Sequence, residues 1–109
     1  MTRKVQVCCV FNYGSHREYE TVDGVAINRV FAAHRVDRFC DWTLTHRQSG
    51  YSAGCVRTLT CARRFAAALL RHVPATEWDF SDGEHVRKNP RFLGCKALKD
   101  KFEAMGREP

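Results

Sequence analysis

The chain has 109 residues, of which 44% are hydrophobic and 11% aromatic, and its formal net charge is +6. The length suits one domain with one core, and the composition excludes a disordered chain. No run approaches the roughly 20 apolar residues that cross a bilayer, and we recognise no leader sequence. We therefore expect a cytoplasmic protein without membrane contacts, folded as a single α+β domain over residues 1–109.

The first third of the chain predicts a hairpin and one ambiguous segment. Residues 4–11 are rich in β-formers, and residues 18–22 predict a second short strand that Asp23-Gly24 would end as a turn. Residues 12–15 supply the turn between these two strands. Residues 25–36 fit either a helical face or a strand. We favour a strand in the second half of this segment, because a hairpin follows it.

The middle of the chain carries the clearest pattern. Trp42, Leu44 and His46 alternate with more polar residues, and Gln48-Ser49-Gly50 forms a turn into residues 51–55. This pattern predicts a β-hairpin. An amphipathic helix follows, with Thr58 or Thr60 as its cap and Pro74 beyond its end. Its apolar face consists of Ala62, Phe65, Ala66, Leu69, Leu70 and Val73.

The C-terminal part predicts a cover for the core and a second helix. Trp78 and Phe80 would lie over the core, and Asn89-Pro90 marks a turn. A last helix is expected over residues 93–105, because Leu98, Phe102 and Met105 share one face. The fold class is therefore α+β: an antiparallel sheet of four to five strands, packed by one long amphipathic helix and a C-terminal helix.

The placement of charge indicates a binding face. Between Asp41 and Glu77 the chain has five arginines and no acidic residue, which attracts polyanions such as nucleic acid or an acidic protein face. Arginine stems also cover ordinary helix and hairpin surfaces, and we weigh that interpretation equally. The candidate binding residues are Arg47, Tyr51, Arg57, Arg63, Arg64 and Arg71.

No catalytic or metal-binding motif is recognisable. The six cysteines lack the paired spacing of zinc sites, and in a cytosolic chain we expect them reduced and buried. The one pair to inspect for nucleophilic chemistry is His46 with Ser49 or Cys55, although turn chemistry explains Ser49 better. Glycine loops of the nucleotide-binding kinds are absent. We expect no enzyme activity, no cofactor and no metal.

The segment Trp42–Tyr51 and the alanine-rich helix from Thr60 to Leu70 resemble small orphan proteins of phages and other mobile elements. This class includes anti-CRISPR proteins. The resemblance implies a non-enzymatic inhibitor of a host defence nucleoprotein complex. Its partner would be a host protein or nucleoprotein with an acidic face, or DNA or RNA bound without sequence specificity.

Three alternatives stay open at this point. The chain could be a nucleic-acid-binding accessory protein, because a basic sheet-helix edge can hold phosphates. It could be a small Cys/His hydrolase or nuclease built around His46. It could also form a homodimer through a sheet edge or through the C-terminal helix, where Leu98 and Phe102 suit an interface as well as a core.

Overall fold

The computed structural model describes residues 3–12, 17–35, 41–81 and 88–104. Within these residues, five strands form one antiparallel sheet in which each strand neighbours the one before it. The predicted α+β class, with its antiparallel sheet and two helices, is confirmed. The elements are β1 (Arg3–Asn12), β2 (Arg17–Ala26), β3 (Phe31–His34), β4 (Trp42–His46), β5 (Ser52–Val56), α1 (Leu59–His72) and α2 (Cys95–Ala104), with 3₁₀ turns at Ala75–Trp78 and Pro90–Phe92.

The predicted N-terminal hairpin is present but longer than expected. β1 and β2 pair from Arg3 opposite Ala26 to Asn12 opposite Arg17. The prediction that Asp23-Gly24 ends the second strand is wrong, because β2 continues through both residues. Gly24 instead allows a close approach: a Cβ there would lie 2.6 Å from Val7 Cγ2 and 2.8 Å from the Ala33 carbonyl oxygen. Of the predicted turn, residues 13–15 lie outside the described residues.

The two central predictions are confirmed. β3 falls in the second half of the ambiguous segment, and β4 pairs with β5 as the predicted hairpin. Gly50 closes the turn with a positive φ of 80°, a conformation that glycine adopts without steric cost. Its N–H donates to the carbonyl oxygen of His46 at 2.8 Å. Val36, the last residue of the ambiguous segment that contains β3, lies outside the described part of the chain.

α1 begins where the sequence offers two caps, and the structure uses Thr58. Its hydroxyl oxygen accepts a hydrogen bond from the Cys61 N–H at 3.0 Å. Ala62, Phe65, Ala66 and Leu69 are buried against the sheet, as their spacing predicts, and Leu70 is half-buried. The helix ends at His72, two residues before Pro74.

Aromatic side chains close the core next to α1, as predicted for Trp78 and Phe80. The Trp78 ring meets Phe31 edge to face at 4.9 Å, and its indole N–H donates to the Val73 carbonyl oxygen at 2.9 Å. Phe92 packs edge to face on Trp78 at 4.8 Å. The segment after α1 is therefore fixed by ring packing and by hydrogen bonds, of which the Trp78 indole N–H makes one.

α2 starts two residues later than predicted. Gly94 has a positive φ of 96° directly before it, and a Cβ on Gly94 would lie 2.8 Å from His72 Nε2. Leu93, which the prediction placed inside the helix, is 74% exposed. Phe102 is buried and stacks on Phe65 at 5.2 Å, whereas Met105 lies outside the described residues.

Candidate functional site

Arginines line the outward side of α1. Four exposed residues of α1 recur at positions i, i+4, i+7 and i+11 and so lie along one line of the helix surface: Thr60, Arg64, Ala67 and Arg71. Arg63 is also exposed and lies beside this line of residues. We call Arg63, Arg64 and Arg71 the arginine row. The sequence predicted all three as binding residues, and the structure brings them onto one surface.

The arginine row has little local neutralisation. Within the described part of the chain, no ion pair involves these three residues. The first turn of α1 contains no acidic residue, and Arg71 lies in the last turn, where a cation interacts favourably with the helix dipole. Burial raises the pKa of the Cys61 thiol, and the positive charge of Arg64 opposes that rise.

Arg57 precedes α1 and differs from the arginine row. Its Nε lies 3.9 Å from a carboxylate oxygen of Asp41, and both side chains are about half exposed. An exposed pair at this distance contributes little stability, so the guanidinium can exchange its partner.

Arg47 and Tyr51 lie apart from the row. Arg47 donates a hydrogen bond to the carbonyl oxygen of Asn28 at 3.1 Å and borders a groove with Gln6 and Arg29. Tyr51 is half-buried and lines a cavity between β5 and α2. That cavity is also lined by Leu69 of α1, but by none of the arginines of the row, so the six predicted residues fall on at least two surfaces.

A second basic surface was missed by sequence reasoning. The guanidinium of Arg35 lies 5.6 Å from the centre of the Trp42 ring, a cation–π arrangement. Both residues border an open groove of about 590 Å³ together with Lys4, Val5 and Asp23. Residues 35 and 42 come together because of the register in which β3 pairs with β4, and the sequence alone does not give that register.

His46 and Ser49 form the histidine–hydroxyl pair that the sequence singled out. His46 Nε2 lies 2.7 Å from the Trp78 carbonyl oxygen, which can only accept, so Nε2 carries the proton. Nδ1 then accepts from the Ser49 hydroxyl at 2.7 Å and from the Ser49 N–H at 3.2 Å. Burial lowers the pKa of His46, and the hydrogen bond to Trp78 opposes this shift. The imidazole is therefore neutral.

The hydrogen bonds of His46 and Ser49 stabilise the β4–β5 turn and do not prepare Ser49 to act as a nucleophile. The Ser49 hydroxyl oxygen also accepts from the Tyr51 N–H at 3.2 Å, and both His46 and Ser49 are about 95% buried. An attacking oxygen needs access to a substrate carbonyl, and this one is committed to the turn.

Cys55 corrects the expectation of six reduced thiols. It is disulfide-bonded, so it has no thiolate with which to act as a nucleophile beside His46. Among the described residues, Cys8, Cys9, Cys61 and Cys95 carry free thiols.

A second buried histidine was not anticipated. His34 Nε2 lies 3.2 Å from Cys9 Sγ and 2.8 Å from the Thr45 hydroxyl oxygen. Burial raises the pKa of Cys9 to about 11 and lowers that of His34, so both groups are neutral. A reactive cysteine needs the opposite shift. This contact joins β1, β3 and β4 and stabilises the sheet face opposite the helices.

Within the described residues, no three histidine, cysteine, aspartate or glutamate side chains lie close enough together to hold a metal ion. None of the helices in this part of the chain is long and apolar enough to span a bilayer. Comparison with protein-family models, with curated proteins and with solved structures returned no match.

Proposed function

We propose that this chain is a non-enzymatic binding protein that contacts the phosphate backbone of a nucleic acid without sequence specificity, through the arginine row of α1. The observation that carries the proposal is the row itself: three exposed guanidinium groups on one helix side, with no acidic partner among the described residues. Arginine is well suited to phosphate because its planar fork donates two parallel hydrogen bonds.

The shape of the helix supports this use. Ala67 lies between Arg64 and Arg71, so no bulky side chain separates the two charges from an approaching strand. Seven residues of α-helix place them about 10 Å apart along the axis, and each can meet a different phosphate. The exposed neighbours of the arginines on this side of α1, Thr60 and Ala67, are small and not aromatic, so the surface offers guanidinium groups to phosphates and no ring for bases to stack on.

The non-enzymatic part of the proposal is supported by the three nucleophile candidates. Ser49 is buried in a turn, Cys55 is in a disulfide, and the Cys9 thiol stays protonated. From the resemblance to phage and mobile-element proteins we further propose that this nucleic acid belongs to a host defence nucleoprotein complex. Inhibition would follow if α1 occupies phosphate contacts that this complex needs.

The test is binding of labelled single- and double-stranded DNA and RNA, measured by fluorescence anisotropy at low salt. Arg64→Glu with Arg71→Glu should abolish binding, because the double variant reverses two of the three charges of the row. Lys88→Glu with Lys101→Glu is the matched control, since it changes the net charge equally at exposed positions off α1. Equal loss in both variants would contradict the proposed face. Absence of binding by the unaltered chain would indicate an acidic protein partner instead.

A further inference from the structure

A small cavity lies on the helix side of the sheet, where most elements meet. It has a volume of about 150 Å³ and is bordered by the β4–β5 hairpin, α1, residues 78–80 and the start of α2. An apolar cavity of about 150 Å³ accommodates one benzene molecule. The arginine row does not line it, so a ligand here would be separate from the proposed nucleic-acid contact.

The walls of the cavity are mainly apolar and aromatic. Leu69, Trp78 and Phe80 line it, and the His46 ring stacks on Phe80 at 4.4 Å between centroids. Aromatic pairs prefer edge-to-face or offset arrangements, and the lining residues Trp78 and Phe80 offer such partners to a ring that enters this space. The polar atoms of His46 are bonded to Ser49 and Trp78, so they do not demand a polar ligand inside.

Of the described residues, the charged ones that line the cavity are both basic. Lys96 and Lys99, one turn apart on α2, both border it. The ammonium group of Lys96 lies 3.8 Å from the Asp100 carboxylate, and that of Lys99 lies 4.0 Å from the Glu103 carboxylate. Both distances are at the long limit for ion pairs, and both lysine side chains are exposed. Glu103 also accepts from the Cys55 N–H at 2.8 Å. Both lysines can therefore turn toward an anion at small cost.

We propose that this cavity binds a small aromatic carboxylate, one ring in width, with the ring between Leu69, Trp78 and Phe80 and the carboxylate at Lys96 and Lys99. The volume sets the size of the ring, the walls favour an aromatic group, and the two ammonium groups set the charge. An uncharged ring of the same size would make no ionic contact with the lysines, and a cationic ring would meet no acidic residue in the described lining, since Asp100 and Glu103 do not line the cavity.

The probe is 4-fluorobenzoate, followed by fluorine NMR on titration with the whole chain, with 4-fluorobenzylamine and fluorobenzene in parallel. Saturable binding is expected for the carboxylate, with methyl resonances of Ala53 and Leu69 shifting at the same midpoint. Replacing both lysines, Lys96→Gln with Lys99→Gln, should weaken this binding about two- to thirtyfold, the range for two exposed ionic contacts. Lys88→Gln with Lys101→Gln is the control of equal charge and should leave affinity unchanged.

Three results would overturn the proposal: no saturable binding of 4-fluorobenzoate, equal binding of the amine or the uncharged ring, or equal weakening by the control variant. All four lysines are at least partly exposed, so both variants are expected to fold, which thermal unfolding verifies. The Arg64→Glu, Arg71→Glu variant should bind 4-fluorobenzoate normally. That result separates this site from the arginine row.

Discussion

The Glu103 carboxylate of α2 accepts a hydrogen bond from the backbone N–H of Cys55 at 2.8 Å. β5 is an edge strand, and exposed N–H groups of edge strands invite pairing with other chains. The C-terminal helix satisfies one such donor by a side chain 48 residues away. α2 therefore covers this edge in addition to packing Phe102 into the core.

Glu103→Ala should lower the free energy of unfolding by about 1–3 kcal/mol, because the Cys55 donor loses its partner at a half-buried position. Glu103→Gln retains an acceptor oxygen and should lose less than half as much. Urea unfolding monitored by tryptophan fluorescence measures both. Equal losses would mean that the charge of Glu103, through Lys99, matters more than the acceptor.

Thr58→Ala should lower the free energy of unfolding by about 0.5–2 kcal/mol, since the hydroxyl caps the Cys61 N–H. Thr60→Ala is the matched control within the helix, where alanine is the better helix former. It should be neutral or slightly stabilising in thermal unfolding. The reverse order of the two variants would place the cap at Thr60.

Cys9 should resist alkylation while the protein is folded. With its pKa raised to about 11, about one Cys9 thiol in a thousand is ionised at pH 8, and the side chain is also buried. Cys8, its exposed neighbour, should react with iodoacetamide first. Tandem mass spectrometry distinguishes the two adducts. Modification of Cys9 at the rate of Cys8 would show that this face of the sheet is open, whereas in urea both should react.

Stability should fall on acidification below pH 6.5. Burial lowers the pKa of His34 and of His46 below the ordinary value of 6.5, so the unfolded chain takes up these protons first. Their contribution is complete above pH 6.5 and is lost as the pH falls below it, by at most about 1.4 kcal/mol per pH unit for each histidine. Urea unfolding from pH 7.5 to 5 measures the slope. His34→Gln should reduce it, and an unchanged slope would contradict a neutral buried His34.

Patterns between near neighbours in the chain predicted most of the fold. The β4–β5 hairpin and α1 follow from alternation, from a turn at Gly50 and from helical spacing. The sequence predicted a turn at Asp23-Gly24 because this dipeptide is a common turn signal, and that prediction was wrong. Here its glycine serves a contact with Val7 and Ala33, which the local sequence does not reveal.

The candidate sites were predicted less completely. Arg63, Arg64 and Arg71 share one helix, so their common surface follows from helical spacing alone. The positions of Arg47 and Tyr51 depend on how the hairpin packs against β1 and α2, and the two residues line different cavities. The contact of Cys9 with His34 joins residues 25 positions apart, and only the sheet register brings them together.

The most direct test of the arginine row is the salt dependence of nucleic-acid binding. The logarithm of the binding constant should fall linearly with the logarithm of salt concentration, because bound phosphates release counterions. Replacing Arg64 and Arg71 by alanine should reduce that slope by about 2, one for each lost phosphate contact. An unchanged slope, with binding intact, would show that α1 does not contact the phosphates.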